Sequence, residues 1–415
     1  MKRKKVFLVG PPFPGHLHPL LGIGCRLQAA SDITVLTTPG GVASAESDGL
    51  AGTPILAHHE KAVWEIAEPG RNVRGNPVGL FRQLRANVSL LAGLKAELDG
   101  LFRAHRPDLV IADFTVPVAG ISATQQSIPW WTTLPSPCVF ETPDGPPAYL
   151  GGLMPATTRV QKIQHAALRS ATRRFKQLMW LVFRRQFRAI GFEGIYRADG
   201  SEAVYSPQHI LALGISELEF PRTYPPHFHL IGPVLHTPPD NIPAPHFESD
   251  GRSHVLITLG THLRHAKAEV AAVIRGIASR HPGMCFHFTH GDTSAGGPRT
   301  DGNFHEYPHV SYAGHLSRYD LVVHHGGAGV LNYCLLHGKP SVVYPLDFDQ
   351  FDNAARLGAA GLAVRARSLA DMEAGIQRAL GDVPMRNRCR AMSETLQRYD
   401  AGGFIADLVA KLPAA

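Results

Sequence analysis

The residue types best suited to chemistry lie in a glycine-rich turn at 324–329, which reads His-His-Gly-Gly-Ala-Gly. A short apolar run at 321–323 precedes the turn, and a helix-like segment at 330–336 follows it. A strand that ends in such a turn and enters a helix presents free backbone N–H groups and the positive end of the helix dipole, which favours phosphate. His324 adds a hydrogen-bond donor beside the turn. Further on, Asp349-Gln350 can bind hydroxyl groups, so phosphate and polyol chemistry together indicate a nucleotide-sugar.

A second candidate for chemistry follows the first predicted strand, where residues 14–19 read Pro-Gly-His-Leu-His-Pro. Gly15 permits unusual backbone angles and Pro19 suits a helix start, which predicts His16 at the carboxyl edge of a sheet. A histidine titrates near neutrality and can take a proton from an alcohol if a partner fixes its tautomer. Asp113, just after a buried-type strand, is the predicted partner. The alternative is that His16 only lines a cleft and Asp113 caps a turn.

These residues need a scaffold, and the chain alternates short β-like runs with helical patterns on both sides of a proline-rich stretch. Such alternation predicts parallel sheets with helices on both faces. We therefore predict an α/β protein with two Rossmann-like, doubly wound domains that face each other across a cleft. The predicted parts are an N-terminal domain (1–231), a linker (232–250), a C-terminal domain (251–399) and a tail that packs back toward the N-terminal domain (400–415).

The composition excludes several classes of protein. With 415 residues, of which 44% are apolar and 18% charged, the chain is too long for one ordinary core and has the balance of a globular protein. Five cysteines without CxxC spacing argue against a disulfide framework or a cysteine-based zinc site, and favour a reducing compartment. The apolar stretches are too short for a signal peptide or a membrane span. We expect a cytoplasmic protein.

Three motifs in the second half resemble the donor-binding signature of family 1 glycosyltransferases, which have the GT-B fold. They are His324-x-Gly-Gly-Ala-Gly, Gly338-Lys339-Pro340 with Pro345, and Asp349-Gln350-x-x-Asn353-Ala354. The resemblance implies that a nucleotide diphosphate is held by His324 and by the amides of Gly326, Gly327, Ala328 and Gly329. It also implies that Asp349 and Gln350 bind the sugar of the donor.

The same family has an N-terminal Gly-His-x-x-Pro motif, which residues 15–19 match. The resemblance implies that His16 is the catalytic base, that Asp113 orients it, and that the N-terminal domain binds the acceptor. Gly260 and Thr261 are further donor-site candidates, because glycine lets the backbone approach an anion and the threonine hydroxyl can donate to it.

Three departures from the family pattern bear on the nucleotide. Val330 stands where the family has a hydroxyl residue after the glycines. Asn332 stands where an acidic residue would bind the ribose, and it can still accept one hydrogen bond. Tyr312 is the nearest candidate to stack on the base, since the usual aromatic entry motif is missing. Of the other histidines, we expect His325 to be a packed or capping residue, and the remainder to be ordinary surface or core residues.

The resemblance implies an inverting transfer of a hexose from a UDP- or dTDP-sugar to a hydroxyl group, with no cofactor and no metal. Two alternatives stay open: a sugar-nucleotide epimerase of the same fold, and a non-catalytic partner protein that binds nucleotide-sugar. Aromatic and apolar residues in the first domain suit a hydrophobic small-molecule or lipid acceptor. The acceptor-binding candidates are Trp64, Trp131, Phe140 and Tyr149.

Charge is unevenly distributed along the chain. No acidic residue occurs between Asp144 and Glu193, whereas nine lysines and arginines do. Within this window, residues 175–190 combine large apolar side chains with flanking arginines. The simpler interpretation is a helix packed on the first domain, and the alternative is a helix that contacts an anionic membrane. No recognition motif accompanies the charge, so we expect no nucleic-acid partner.

Overall fold

The computed structural model describes residues 3–68, 77–236, 244–247, 251–292 and 296–413, and within them the chain forms two seven-stranded sheets. All strand pairs of the first sheet are parallel, in the order β3-β2-β1-β4-β5-β6-β7. The buried runs of its central strands, residues 6–9 of β1 and 109–112 of β4, are apolar, as burial on both faces requires. The strands are β1 (Lys4–Val9), β2 (Ser31–Thr37), β3 (Ala51–Pro54), β4 (Leu109–Asp113), β5 (Trp130–Leu134), β6 (His209–Ala212) and β7 (Phe228–Leu230).

The second sheet has the order β10-β11-β9-β8-β12-β13-β14, and the pairing of β10 with β11 is antiparallel while the other pairs are parallel. Two parallel-rich sheets of this kind confirm the predicted fold class. The strands are β8 (Ser253–Thr258), β9 (Met284–Thr289), β10 (Arg299–Asp301), β11 (Phe304–Tyr307), β12 (Leu321–His324), β13 (Ser341–Val343) and β14 (Ala363–Arg365).

Helices cover both sheets. Those of the first half are α1 (Pro14–Leu27), α2 (Pro39–Ser47), α3 (Glu60–Ala67), α4 (Pro77–His105), α5 (Pro117–Gln125), α6 (Arg159–Val182) and α7 (Arg184–Ala189). Those of the second half are α8 (Arg264–Arg280), α9 (Tyr312–His315), α10 (Ala328–Leu336), α11 (Gln350–Ala359), α12 (Met372–Gly381), α13 (Val383–Leu396) and α14 (Ala401–Ala410). In the described part of the chain, no helix has the length and hydrophobicity to cross a bilayer.

Each sheet reverses its strand order at the strands that carry the predicted site. In the first sheet β1 lies between β2 and β4, and in the second β8 lies between β9 and β12. Ligands of open α/β sheets bind at such switch points, beyond the carboxyl ends of the strands. His16 follows β1 and Asp113 ends β4, while Gly260 follows β8 and the glycine-rich turn follows β12. The topology therefore positions both halves of the predicted site.

The start of the first helix differs from the prediction. Pro19 was expected to begin it, but α1 begins at Pro14 and Pro19 lies inside it. Proline is favoured in the first turn of a helix because its missing N–H has no partner there anyway, and Pro14 meets that condition first. His16 is consequently held in the first turn of α1 rather than in a preceding loop.

The end of the chain lies against the first sheet. Ala401, Ile405 and Val409 of α14 belong to the same buried apolar cluster as residues of α1 and β1. The predicted domain boundaries themselves stay predictions, and the linker residues 237–243 and 248–250 lie outside the described residues.

Candidate active site

A cavity of about 840 Å³ is lined by residues of both halves of the chain. In the first half of the chain, the segment after β1 and one side of α4 line the cavity. In the second half, the turns after β8 and β12 and the start of α11 line it. Its walls are predominantly apolar on the side of the first sheet. The cavity thus brings the two predicted half-sites together.

His16 and Asp113 form a hydrogen-bonded pair on the first-sheet side of the cavity. Nδ1 of His16 lies 3.0 Å from Oδ2 and 3.1 Å from Oδ1 of Asp113. Asp113 is fully buried behind the histidine, and its Oδ1 also accepts from the backbone N–H of Thr115 (2.9 Å) and the hydroxyl of Thr115 (2.5 Å). These bonds fix the carboxylate, which in turn fixes the imidazole and leaves Nε2 as the ring nitrogen not engaged by Asp113.

The pKa of His16 reflects two opposing effects. Burial, the largest single effect, lowers it, whereas the charge of Asp113, its hydrogen bond and the charge of Asp349 raise it. The charges outweigh burial, so the pKa of His16 is raised above its ordinary value. A histidine with a raised pKa and a fixed tautomer suits proton transfer from an alcohol.

The glycine-rich turn faces this pair from the second half. Gly326 has a φ of +96°, a left-handed conformation that glycine adopts at little cost. Gly327 then caps α10 at its N-terminus, and Gly327, Ala328, Gly329 and Asn332 all line the cavity. The N-terminal N–H groups of α10 and its dipole therefore point to a position that favours an anion.

The positions of the two histidines of the turn differ from the predicted ones. His324, the last residue of β12, is fully buried and does not line the cavity, and its Nδ1 accepts the N–H of Gly326 at 3.0 Å. His325 does line it. Successive side chains of a strand point to opposite faces, so only one of two adjacent histidines can reach the ligand side. His324 therefore shapes the turn, which corrects the prediction for it. His325 is placed where it could contact a phosphate, and such a contact stays a prediction.

The imidazole ring of His325 lies against two glycines. A Cβ on Gly327 would lie 2.3 Å from Nε2 of His325, and a Cβ on Gly260 would lie 2.9 Å from its Cε1, so a side chain at either position would displace the ring. Burial lowers the pKa of His325 to about 3, and nearby His262 acts in the same direction. His325 is therefore neutral, and it can act on an anion as a hydrogen-bond donor rather than as a charge.

The amide of Gly326 does not fit its predicted role, because Gly326 does not line the cavity and its N–H donates to His324. Four other predicted donor residues do border the cavity. Gly260, with a φ of +69°, and Thr261 line it, as do Tyr312 and Asn332. The hydroxyl of Tyr312 lies 2.7 Å from Oγ1 of Thr258, which fixes the ring next to the second sheet. Their contacts with a nucleotide stay predictions.

Asp349 and Gln350 line the cavity at the start of α11. Asp349 accepts a hydrogen bond from the hydroxyl of Ser136, which follows β5 of the first sheet, and another from Nδ2 of Asn353 at 3.2 Å. Burial raises the pKa of Asp349. Oε1 of Gln350 accepts two backbone N–H groups at 2.9 Å, from residues 346 and 347. Both side chains are thus held in place, and their sugar contacts stay predictions.

Three of the four predicted acceptor-binding residues do not line the cavity. Trp131 is 1% exposed in the core under the first sheet, and Phe140 is buried in a separate aromatic cluster, so neither reaches the cavity. Aromatic content alone does not tell which face of a strand a ring occupies. Trp64 packs on Phe13, a lining residue, with ring centroids 5.0 Å apart, and Tyr149 lines the cavity directly.

The sequence reasoning missed the main apolar wall of the cavity. It is formed by one side of α4, whose helical periodicity could have indicated an apolar face but not what the face covers. The lining residues of α4 include Leu80, Leu84, Leu91 and Leu94.

Two groups of side chains in the described residues have ligand atoms within 4.8 Å of one another, as a metal site requires. One is His254, Cys285 and His287, and the other is Cys25, Asp48 and His236. Neither includes a residue predicted for the donor or the base. The expectation that no metal takes part stays a prediction.

Comparison with known proteins agrees with this geometry. Residues 294–395 match the model of the glycosyltransferase family 28 C-terminal domain. The chain is similar to zeaxanthin glucosyltransferase of Pseudescherichia vulneris, with 26% identity over 95% of this chain and 94% of the relative.

Solved structures share the fold over the whole length. The glycosyltransferase of kitacinnamycin superposes with a TM-score of 0.78 and 18% identity, covering 100% of both chains. A spinosyn rhamnosyltransferase complexed with thymidine diphosphate has a TM-score of 0.65 and 19% identity, covering 97% of this chain and 99% of its own. The fold and site define a GT-B protein. Within that fold, the chain is a glycosyltransferase that resembles family 1.

Proposed function

We propose that the protein transfers a hexose, with inversion, from a nucleotide diphosphate sugar to a hydroxyl group of a hydrophobic acceptor. The observation that carries this proposal is the His16–Asp113 pair in the first-half wall of the cavity, together with the N-terminus of α10 in the second-half wall. One side offers a base for an incoming alcohol, and the other offers N–H groups for a departing diphosphate. A displacement reaction needs those two functions on opposite sides of the sugar.

In the proposed reaction, Nε2 of His16 takes the proton of the acceptor hydroxyl as its oxygen attacks the anomeric carbon. The bond from that carbon to the diphosphate oxygen breaks, and the nucleotide diphosphate leaves with the electron pair. Asp113 keeps the proton on Nδ1 and stabilises the imidazolium that forms. The N-terminus of α10 and the neutral His325 stabilise the negative charge on the leaving group.

The remaining parts of the proposal follow from the same site. Asp349 and Gln350 bind hydroxyl groups of the sugar, and the turn bears the charge of the diphosphate without a metal. We propose a UDP- or dTDP-linked donor, since one structural neighbour holds thymidine diphosphate. All five cysteines are free thiols, which supports a cytoplasmic location.

The acceptor class is inferred from the cavity wall. The leucines of α4 are joined there by Val63, Ile66 and Phe114. Apolar walls of this kind select ligands by the surface they bury, with a few polar groups setting orientation. The relative's name gives zeaxanthin as its acceptor. We propose a natural product or a lipid with a reactive hydroxyl as the acceptor here.

The test of this proposal is His16→Ala. Release of UDP or dTDP is followed with the matching sugar donors, with and without a panel of hydroxylated aromatic acceptors. The wild-type protein should release nucleotide faster when an acceptor is present, and His16→Ala should lower that rate by roughly 10²–10⁴-fold. Nucleotide binding, measured by calorimetry, should not change. If the acceptor-dependent rate survived in His16→Ala, the histidine would not be the base.

The same assay separates the alternatives. An epimerase would convert the donor without net release of nucleotide. A non-catalytic binding protein would bind nucleotide and release none. Addition of EDTA should leave the transfer rate unchanged, and loss of rate on chelation would contradict the metal-free reaction.

A further inference from the structure

Helix α6 has its polar side against the protein. His165 is buried, and Arg169 donates to the backbone carbonyl of Gly145 at 2.9 Å. Two turns further on, Lys176 forms an ion pair with Glu202 at 2.5 Å. These residues repeat at helical spacing, so they occupy one side of the helix. The helix is thus attached to the first domain mainly through charged and polar side chains.

The opposite side of α6 is apolar and faces outward. Large apolar side chains lie there in two groups, one near the start of the helix and one near its end, with Leu168 between them, and together they span about 33 Å. A helix normally turns this stripe toward a core. We call it the outer stripe; its exposed members are Val160 (64%), Ile163 (69%), Phe175 (48%), Leu178 (53%), Leu181 (53%) and Val182 (50%).

The outer stripe is connected to the cavity through α4. Leu80 lines the cavity and is also 42% exposed. Its neighbour Phe81 is exposed too, and its ring stacks on Phe183, at the end of α6, with centroids 5.5 Å apart. An apolar path therefore leads from the outer surface to the wall of the cavity.

The charge around the stripe indicates what covers it. Between Asp144 and Glu193 there are nine cations and no acid. Six of the cations are exposed, namely Arg159, Lys162, Arg174, Arg184, Arg185 and Arg188. Two copies of the chain joined through this face would bring like charges together. A lipid surface with anionic head groups would instead offer an apolar interior to the stripe and negative charge to its flanks.

We propose that the outer stripe, with Leu80 and Phe81, docks on an anionic lipid bilayer, and that a lipophilic acceptor passes from the bilayer along α4 into the cavity. The docking stands independently of the proposed function, whereas the delivery of the acceptor rests on it. The acceptor class is accordingly a membrane-dissolved molecule that carries a hydroxyl group.

The experiment is co-sedimentation of the full chain with vesicles. One set contains equal parts of phosphatidylglycerol and phosphatidylcholine, and the other contains phosphatidylcholine alone. The protein should bind the anionic vesicles at least tenfold more strongly. Phe175→Ser combined with Leu178→Ser should reduce that binding at least tenfold. Val383→Ser, which changes an exposed apolar residue of the other half, should bind like the wild-type protein.

Two further measurements keep the outcome unambiguous. The double variant should keep its melting temperature and its activity on a water-soluble acceptor. His16→Ala should still bind vesicles. A failure of membrane docking can then be distinguished from a failure of catalysis. Wild-type protein left in the supernatant with both vesicle types would overturn the proposal, as would equal binding by the double variant. So would a dimer, detected by light scattering, that the double variant dissociates.

Discussion

Asp113→Asn changes a single atom and should nearly abolish catalysis. Oδ1 of Asp113 accepts two hydrogen bonds from Thr115, so the amide oxygen of an asparagine must occupy that position. Its NH2 group then replaces Oδ2, 3.0 Å from Nδ1 of His16, and donates to it. The imidazole proton moves to Nε2, which can no longer accept a proton from the acceptor. The geometry is intact, but the tautomer is wrong.

The magnitude follows from the loss of the base. General-base catalysis contributes roughly 10²–10⁴-fold, or about 3–5 kcal/mol of activation free energy. The assay is kcat for acceptor-dependent nucleotide release, with donor affinity measured separately by calorimetry. Thr115→Val is the matched control, because it removes the hydroxyl to Oδ1 but keeps the backbone N–H. An Asp113→Asn protein with kcat within threefold of wild type would refute the reasoning.

Three other predictions concern pH, the turn and the contact between the two halves. The rate should fall as the pH drops through the raised pKa of His16, because the base must be unprotonated; a pH profile whose acid limb lies below pH 6.5 would contradict this. Gly326→Ala should lower the free energy of unfolding by at least about 1–2 kcal/mol, measured by denaturant titration. The added Cβ would lie 2.9 Å from the carbonyl oxygen of Gln350, and the backbone at this position is left-handed, which alanine adopts only at a cost. Arg356→Met should cost about 3–5 kcal/mol in the same titration, because the buried carboxylate of Glu219 loses the closer of its two cations. Arg356 lies 3.0 Å from that carboxylate and Arg222 lies 3.9 Å from it.

Matched variants test the reasons behind the two stability predictions. Gly329→Ala lies in the same turn, but its added Cβ would meet nothing within 4 Å, so stability should be kept. Arg280→Met removes an ion pair with Glu373 that is open to solvent, and the melting temperature should hardly change. Equal losses in a variant and its control would mean that the strain or the burial is not the cause.

The parts of the site that lie next to strand ends could be predicted from sequence. His16, Asp113 and Gly327 each follow or end a strand at a switch point, and the alternation of strands and helices predicts where those ends meet. The alternation of strands and helices also predicted the fold class. Local spacing was sufficient because parallel strands bring their carboxyl ends to one edge.

Side-chain orientation was where prediction from sequence failed. His324 and His325 are adjacent, and only the position of the last strand residue decides which one reaches the cavity. Trp131 belongs to a strand buried on both faces, so its aromatic character does not indicate exposure. For residues 175–190 the simpler prediction was a helix packed on the first domain with solvated arginines, and the alternative was a helix that contacts an anionic membrane. The polar side of α6 packs inward because Glu141 and Glu202 lie beneath it.

The most direct test of glycosyl transfer by displacement is the configuration of the product. An α-linked nucleotide hexose, an acceptor that supports nucleotide release and the wild-type protein are combined, and the anomeric proton of the product is observed by NMR. Attack by a His16-activated hydroxyl on the face opposite the diphosphate predicts a β-linked product. An α-linked product would contradict the account.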